Sequence, residues 1–272
     1  MKPFRIFLIA LLFSPMFFIS CTPKEQQIER PDFKKFYDEF GVAGSFVLFD
    51  EQNQTWFVYN PAQLNQPFTP ASTFKICNSL IGLETGVIAD ANFVMPWDSV
   101  VRWNAKWNMD HDLRKAYRNS TVWYYQELAR RVGGQTMKYW LDTLEFGNAD
   151  TAGGIDKFWL SGNLRISPMQ QIDFLRKLHH NQLPFSQRSI DIVKDIMVMK
   201  DTVGFRVRAK TGWGFQDEVN IGWYVGYLTK DEKVWYFANC VQSKDERPDF
   251  GESRIQILYQ ILGELRWFDE VE

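Results

Sequence analysis

Ser72-Thr-Phe-Lys75 stands where a loop, closed by Pro70-Ala71, gives way to the apolar run Ile76-Cys-Asn-Ser-Leu-Ile-Gly-Leu83. A serine at the mouth of a helix and a lysine three residues on share one helical face. A hydroxyl then lies beside an amine that could take its proton, and the helix N-terminus offers free N–H groups to a developing anion. That is the minimum equipment of a nucleophilic acyl-transfer site. Alone, the four residues read first as a helix cap followed by a solvated lysine. Whether they do more depends on partners elsewhere in the chain.

Partners are present, in order. Lys210-Thr211-Gly212 lies in Val207-Arg-Ala-Lys-Thr-Gly-Trp-Gly214, among alternating apolar residues that read as a strand, and Ser120-Thr121-Val122 opens a helical stretch between the two. Ser-x-x-Lys, Ser-Asp-Asn and Lys-Thr-Gly mark class A β-lactamases and penicillin-binding proteins, but here the middle element is Ser-Thr-Val. The chain adds Phe146-Gly147-Asn148, Lys157-Phe-Trp159-Leu160 and Phe250-Gly-Glu-Ser-Arg254. With these, residues 35 to 266 resemble the class D (oxacillinase-type) serine β-lactamases. One departure stands out: Phe146 occupies the place of the family's usual tyrosine, so any role of that hydroxyl is absent, and Asn148 is carried over only as a structural residue.

The elements that must hold these residues can be outlined. Gly44–Asp50 and Thr55–Asn60 read as hairpin strands about the turn 51–54. Helices are expected over 72–85, 119–132, 135–144, 168–180 and 187–199. Ser167, Pro168 and Gln170 supply a capping box for the fourth. Strands return at 204–210, 218–229 and 234–242, and an amphipathic helix closes the chain over 252–266, with Ile255, Leu258, Ile261, Leu262 and Leu265 at helical spacing. The expected fold is mixed α/β (α+β): an antiparallel sheet flanked by terminal helices, with an all-helical region inserted. The resemblance implies a similar fold of the serine β-lactamase and penicillin-binding-protein type, with Lys210 on the sheet side of the site and Ser72 and Ser120 on the helical side.

Composition narrows the setting. Lys2 and Arg5 precede the apolar run Ile6–Ile19 and Ser20-Cys21, which reads as a secretory leader over 1–21, too short and too interrupted by Ser14-Pro15 for a membrane span. A small residue before cysteine points to lipoprotein processing, with Cys21 as the acylated N-terminus; ordinary cleavage nearby is the alternative. Residues 22–34 then form a polar tether, and 35–268 a single catalytic domain placed in the periplasm, tethered to a membrane where Cys21 carries lipid. Loss of the leader takes the formal charge from −2 to −4, and no basic stripe interleaved with aromatics suggests nucleic acid. Among three histidines, His111, His179 and His180 lack ligand spacing, so no metal is expected. Cys77 and Cys240 are expected as buried thiols and not as a disulfide.

The resemblance also implies a mechanism. Lys75, made neutral by an apolar wall of Phe74, Val122, Trp159 and Leu160, would react with carbon dioxide to give N-carboxylysine, and the Trp159 indole, a donor without an acceptor, would hold the carbamate. No dissociable cofactor is needed beyond carbon dioxide or bicarbonate. Ser72 would attack the lactam carbonyl of a penicillin-type antibiotic, with the N–H groups of Ser72 and Trp213 as oxyanion hole. Ser120 would protonate the leaving nitrogen. Lys210, Thr211 and Arg254 would receive the substrate carboxylate, and Val122, Leu160 and Gly212 would also bind the substrate. Loops around 96–118 and 213–220 would shape the entrance, where Trp103, Trp107 and Met109 either line the site or pack on the surface. A DD-peptidase and a β-lactam receptor share the nucleophile; Ser-Thr-Val and Phe158-Trp159-Leu160 argue against the first, and the second would carry several membrane spans ahead of its sensor domain.

Overall fold

The computed structural model describes residues 24–202 and 204–267. The leader and Cys21 lie outside them. One seven-stranded sheet organises the chain: β1 (Gln26–Glu29), β2 (Ala43–Asp50), β3 (Thr55–Tyr59), β4 (Val198–Thr202), β5 (Phe205–Gln216), β6 (Val219–Lys230) and β7 (Lys233–Ser243), in the order β1-β3-β2-β7-β6-β5-β4. All pairings are antiparallel except that of β1 with β3.

Both faces of the sheet are covered. Helices α1 (Lys34–Glu39) and α8 (Phe250–Glu264) pack on one face, where Tyr37, Ile257, Leu258 and Ile261 meet Phe46, Leu48, Tyr224, Leu228 and Phe237. The other face carries the inserted helices α2 (Lys75–Glu84), α3 (Leu113–Arg118), α4 (Val122–Val132), α5 (Gly134–Leu144), α6 (Pro168–His179) and α7 (Gln187–Ile196), and receives Val47, Phe49, Trp223, Val225, Tyr227 and Tyr236. Alternate residues of each strand thus enter different cores, as the two-residue period of a strand requires. On β5 the alternation sends Val207 and Ala209 toward α8 and leaves Lys210 for the helical side.

Five expectations need correction. Helix α7 stops at Ile196, and Val198–Thr202 is an edge strand paired with β5. The run Met197-Val198-Met199 fits a helical period as well as a strand, and pairing with β5 decides it. Strand β5 does not end at 210 but runs to Gln216, turning into β6 through Asp217 and Glu218, both at positive φ (51° and 63°). Such a two-residue hairpin normally draws Asn or Gly, so the sequence carried no signal for it. The first expected helix is split: Ala71–Phe74 is a 3-10 turn and the α-helix begins at Lys75. A short helix, α3, occupies part of the stretch read as an entrance loop, capped by the Asp112 carboxylate on the Lys115 N–H. Finally, the polar tether 22–34 is partly structured, since Gln26–Glu29 adds to the β3 edge through backbone bonds that need no apolar pattern. The capping box of α6 is present: Ser167 Oγ accepts from the Gln170 N–H at 3.2 Å, and the Ser167 N–H donates to Gln170 Oε1 at 3.0 Å. Cys77 and Cys240 are buried and unpaired.

Candidate active site

The nucleophile turn is built against β5. Ala71 is held at φ +46°, a conformation most non-glycine residues avoid. Beyond it the Thr73 N–H and hydroxyl both donate to Pro70 O, at 3.1 and 2.8 Å. Ser72 sits inside this turn, and Lys75 follows as the first residue of α2. The Lys75 side chain is buried, and its Nζ donates to Ser72 Oγ at 2.7 Å. Among the described residues no carboxylate pairs with it. The nearest aromatic face is Tyr125, with Nζ 5.2 Å from the ring centroid. Burial alone pulls the Lys75 amine from 10.5 to about 7. Near neutrality it is then divided between ammonium and amine, and only the amine accepts a proton.

Gly212 and Gly214 bring β5 up to that turn. A Cβ on Gly212 would lie 2.9 Å from Pro70 O, and one on Gly214 would lie 2.9 Å from Thr69 Cγ2. Both positions require glycine, because the strand backbone meets the turn directly. Trp223, on the neighbouring strand, locks the same turn by donating its indole N–H to Thr69 O at 2.9 Å.

Ser120 lies in the three-residue link between α3 and α4, again at positive φ (+53°). Its hydroxyl accepts from Lys210 Nζ at 3.1 Å, and Lys210 also donates to Thr211 O at 3.1 Å. Tyr117 walls this pair: its hydroxyl donates to Ala209 O at 3.1 Å and Lys210 Nζ lies 5.5 Å from its ring centroid. Burial first, then the cations of Lys75 and Arg254, hold Lys210 well below the usual lysine range. An anion entering the cleft would restore its charge.

Arg254 reaches in from α8. Its Nε donates to Gly251 O at 2.9 Å and Nη1 donates to Gly212 O, which fixes the guanidinium beside β5. Burial lowers its pKa to about 10, so it stays cationic near neutrality. Trp159, buried on the opposite side, packs on Phe74 (5.3 Å between centroids) and Phe158 (4.9 Å). Among the described residues its indole N–H meets no acceptor.

These pieces meet in one cleft of about 580 Å³. Ser72, Ser120, Val122, Leu160, Thr211, Trp213 and Arg254 line it, while Lys75, Trp159 and Lys210 are buried. The structure therefore gathers the site residues expected from sequence; Cys21 lies outside the described residues. Trp103 and Trp107 line the entrance, but Met109 does not. Phe215 and Asn220 line it from the stretch 213–220 expected to shape the entrance, and Asn119 lines it without having been expected. Tyr125 was also missed, although it lies three residues after Val122 on one helical face. Phe146, where a tyrosine was usual, is buried between Phe74 and Phe174 (5.6 and 5.1 Å), in a setting that asks for no hydroxyl.

Comparison with known proteins agrees with this geometry. Residues 43–263 match the penicillin binding protein transpeptidase domain. Beta-lactamase OXA-48 from Klebsiella pneumoniae is 42% identical over 233 residues, covering 86% of each chain. The class D β-lactamase structure from Sebaldella termitidis superposes with a TM-score of 0.85 at 36% identity, covering 89% of this chain and 98% of that one. Regulatory protein BlaR1 from Bacillus licheniformis is 34% identical over 86% of this chain, which corresponds to 39% of BlaR1. A buried lysine on the nucleophile serine, Ser-Thr-Val and Lys-Thr-Gly facing each other, and likeness across most of the chain place this protein among the class D serine β-lactamases.

Proposed function

We propose that the protein hydrolyses penicillin-type β-lactams through a Ser72 acyl-enzyme, with Lys75 acting as general base in its N-carboxylated form, and so confers resistance to these antibiotics. The observation that carries this reading is Lys75 Nζ at 2.7 Å from Ser72 Oγ, buried, without an acidic partner among the described residues and near its neutral form. A neutral amine adds carbon dioxide and releases a proton, which leaves an anionic carbamate of greater reach than the amine. The surroundings suit such a group: the Trp159 indole has a donor to spare, and the Tyr125 side keeps the pocket aromatic.

Each residue then has a task. Lys75 takes the Ser72 proton as Oγ attacks the lactam carbonyl. The backbone N–H groups of Ser72 and Trp213 would stabilise the oxyanion, where one lost donor typically costs about 10²–10³ in rate. Ser120 passes a proton to the departing lactam nitrogen and recovers one from Lys210, its partner at 3.1 Å. Thr211 and Arg254 hold the substrate carboxylate, Arg254 through its planar fork. Lys75 finally activates the water that releases the acyl group. The leader 1–21 would export the chain to the periplasm, and Cys21 would carry the lipid that tethers it.

A second reading has an observation in its favour, the 34% identity to Regulatory protein BlaR1. A receptor of that kind would acylate once and stop. Turnover of a chromogenic cephalosporin by the purified protein in degassed buffer, with and without bicarbonate, tests both. Many turnovers accelerated by bicarbonate are expected; a burst that ends at one equivalent in both buffers would replace the hydrolase with a covalent receptor.

A further inference from the structure

Trp159 and Leu160 reach the site on a long loop between α5 and α6, and one exposed residue closes its base. Asn148 donates its backbone N–H to Arg165 O at 2.9 Å, accepts the Arg165 N–H on Oδ1 at 2.9 Å, and donates Nδ2 to Asn163 O at 2.9 Å. The preceding Gly147 turns at φ +59° directly against Arg165 O, where a Cβ would collide. Immediately after the clasp, Ile166 and Phe68 exchange backbone hydrogen bonds, each at 2.9 Å. Phe68 leads straight into Thr69-Pro70-Ala71-Ser72. The Asn148 clasp is therefore joined by continuous backbone bonding to the nucleophile turn.

The loop is tied at two further points. Asp156, on its outer arm, accepts the Gln126 amide on its carbonyl at 3.1 Å and pairs with Arg130 at 2.7 Å, which fastens the loop to α4. Thr69 Oγ1 reaches Trp159 O and Leu160 O only at 3.3 and 3.4 Å. The direct ties from the nucleophile turn to Trp159 and Leu160 are thus long, whereas those at the base are short.

The geometry assigns Asn148 as a positioning residue for Trp159: it fixes the loop's phase relative to the nucleophile turn and so sets the indole against Phe74, the residue before Lys75. The inference rests on the carbamate reading above, because an indole out of place would loosen its hold on carboxylated Lys75. Asn148→Ala removes the side-chain bonds to Arg165 and Asn163, together with a longer one in which Oδ1 accepts the Asp150 N–H at 3.3 Å, at an exposed position and leaves the core untouched. Asn148→Asp keeps the acceptor for Arg165 and places a carboxylate against Asn163 O, so it should fall between Asn148→Ala and the native protein.

The test is a bicarbonate titration of turnover for the native protein, Asn148→Ala, Asn148→Asp and Trp159→Phe, with hydrogen exchange of residues 149–163 measured alongside. For Asn148→Ala, loss of the bonds that clasp Asn163 and Arg165 predicts about tenfold more bicarbonate at half-maximal rate, with activity restored at saturation, KM little changed, and faster exchange at Trp159 and Leu160. A fixed loss that bicarbonate does not restore, or unaltered exchange at those two amides, would overturn the positioning role. If Trp159→Phe itself ignores bicarbonate, the carbamate reading fails and the proposal falls with it; if only Asn148→Ala ignores it, the clasp alone is wrong.

Discussion

Lys210 Nζ lies 3.1 Å from Ser120 Oγ, so an amine on the sheet and a hydroxyl on the helical side meet across the cleft. Neither group holds that position by its own element alone. Ser120 depends on a left-handed residue between two helices, and Lys210 on a strand that glycine lets approach the nucleophile turn. The site is thus a seam between two layers, and its rates should respond to changes that shift one layer against the other.

Gly212→Ala is such a change. The added Cβ would sit 2.9 Å from Pro70 O, and the backbone on both sides has little room to yield. A displacement of about 1 Å at a reacting centre can cost about 10²-fold, so acylation should fall by that order while the protein remains folded. Stopped-flow acylation rates and a melting curve check this. An acylation rate within a factor of two of the native enzyme would show that the strand can slide without consequence.

Lys75 contributes function against stability. Its amine falls from 10.5 to about 7 on burial, which at pH 6, with the lysine charged in both folded and unfolded chains, corresponds to a penalty of about 5 kcal/mol. The sign follows from proton binding: between pH 7 and 10.5 the unfolded chain binds more protons, so the penalty fades as pH rises. Lys75→Met should therefore raise Tm in carbon-dioxide-free buffer, most at pH 6 and less at pH 9. Turnover should be lost by about 10²-fold or more, as for removal of a general base. Calorimetry at the two pH values checks the first expectation, and a Tm gain independent of pH would contradict the burial argument.

Much of this site was legible because its chemistry is carried by short local patterns. Ser72 and Lys75 are three residues apart, Lys210 to Gly212 are contiguous, and helix α6 announces itself through Ser167, Pro168 and Gln170. What escaped depends on contacts across the chain. Val198–Thr202 is a strand only because β5 lies beside it. Asp217 and Glu218 form a tight hairpin against their local preferences because Gln216 and Val219 are already paired. Tyr125 shares a helical face with Val122, but its place against Lys75 depends on how α4 packs on α2. The weight now placed on Asn148 likewise comes from its bonds to Asn163 and Arg165, fifteen and seventeen residues away.

Trp159→Phe separates packing from hydrogen bonding. The phenyl ring keeps much of the contact with Phe74 and Phe158 but offers no N–H. In degassed buffer the variant should accumulate acyl-enzyme and turn over about tenfold more slowly, a loss in line with one hydrogen bond to a charged group. Bicarbonate should recover most of that rate. Mass spectrometry of the quenched enzyme reads the acyl fraction directly, and a variant that deacylates at the native rate without bicarbonate would remove the indole from the mechanism.

Arg254 differs from Lys210 in keeping its charge, since burial brings its pKa only to about 10. It holds Gly212 O and Gly251 O through two of its nitrogens and still presents an edge to the cleft. Arg254→Ala should raise KM for a penicillin and lower kcat/KM by about 10–100-fold, the range expected for a lost charged hydrogen bond. Arg254→Lys should recover little, because a lysine cannot bridge Gly212 O and a carboxylate with one planar group. Steady-state kinetics on a penicillin and on its methyl ester decide the matter. If the carboxylate is what Arg254 reads, the ester should be handled equally poorly by the native enzyme and both variants; an ester that still distinguishes them would assign Arg254 to holding β5 in place.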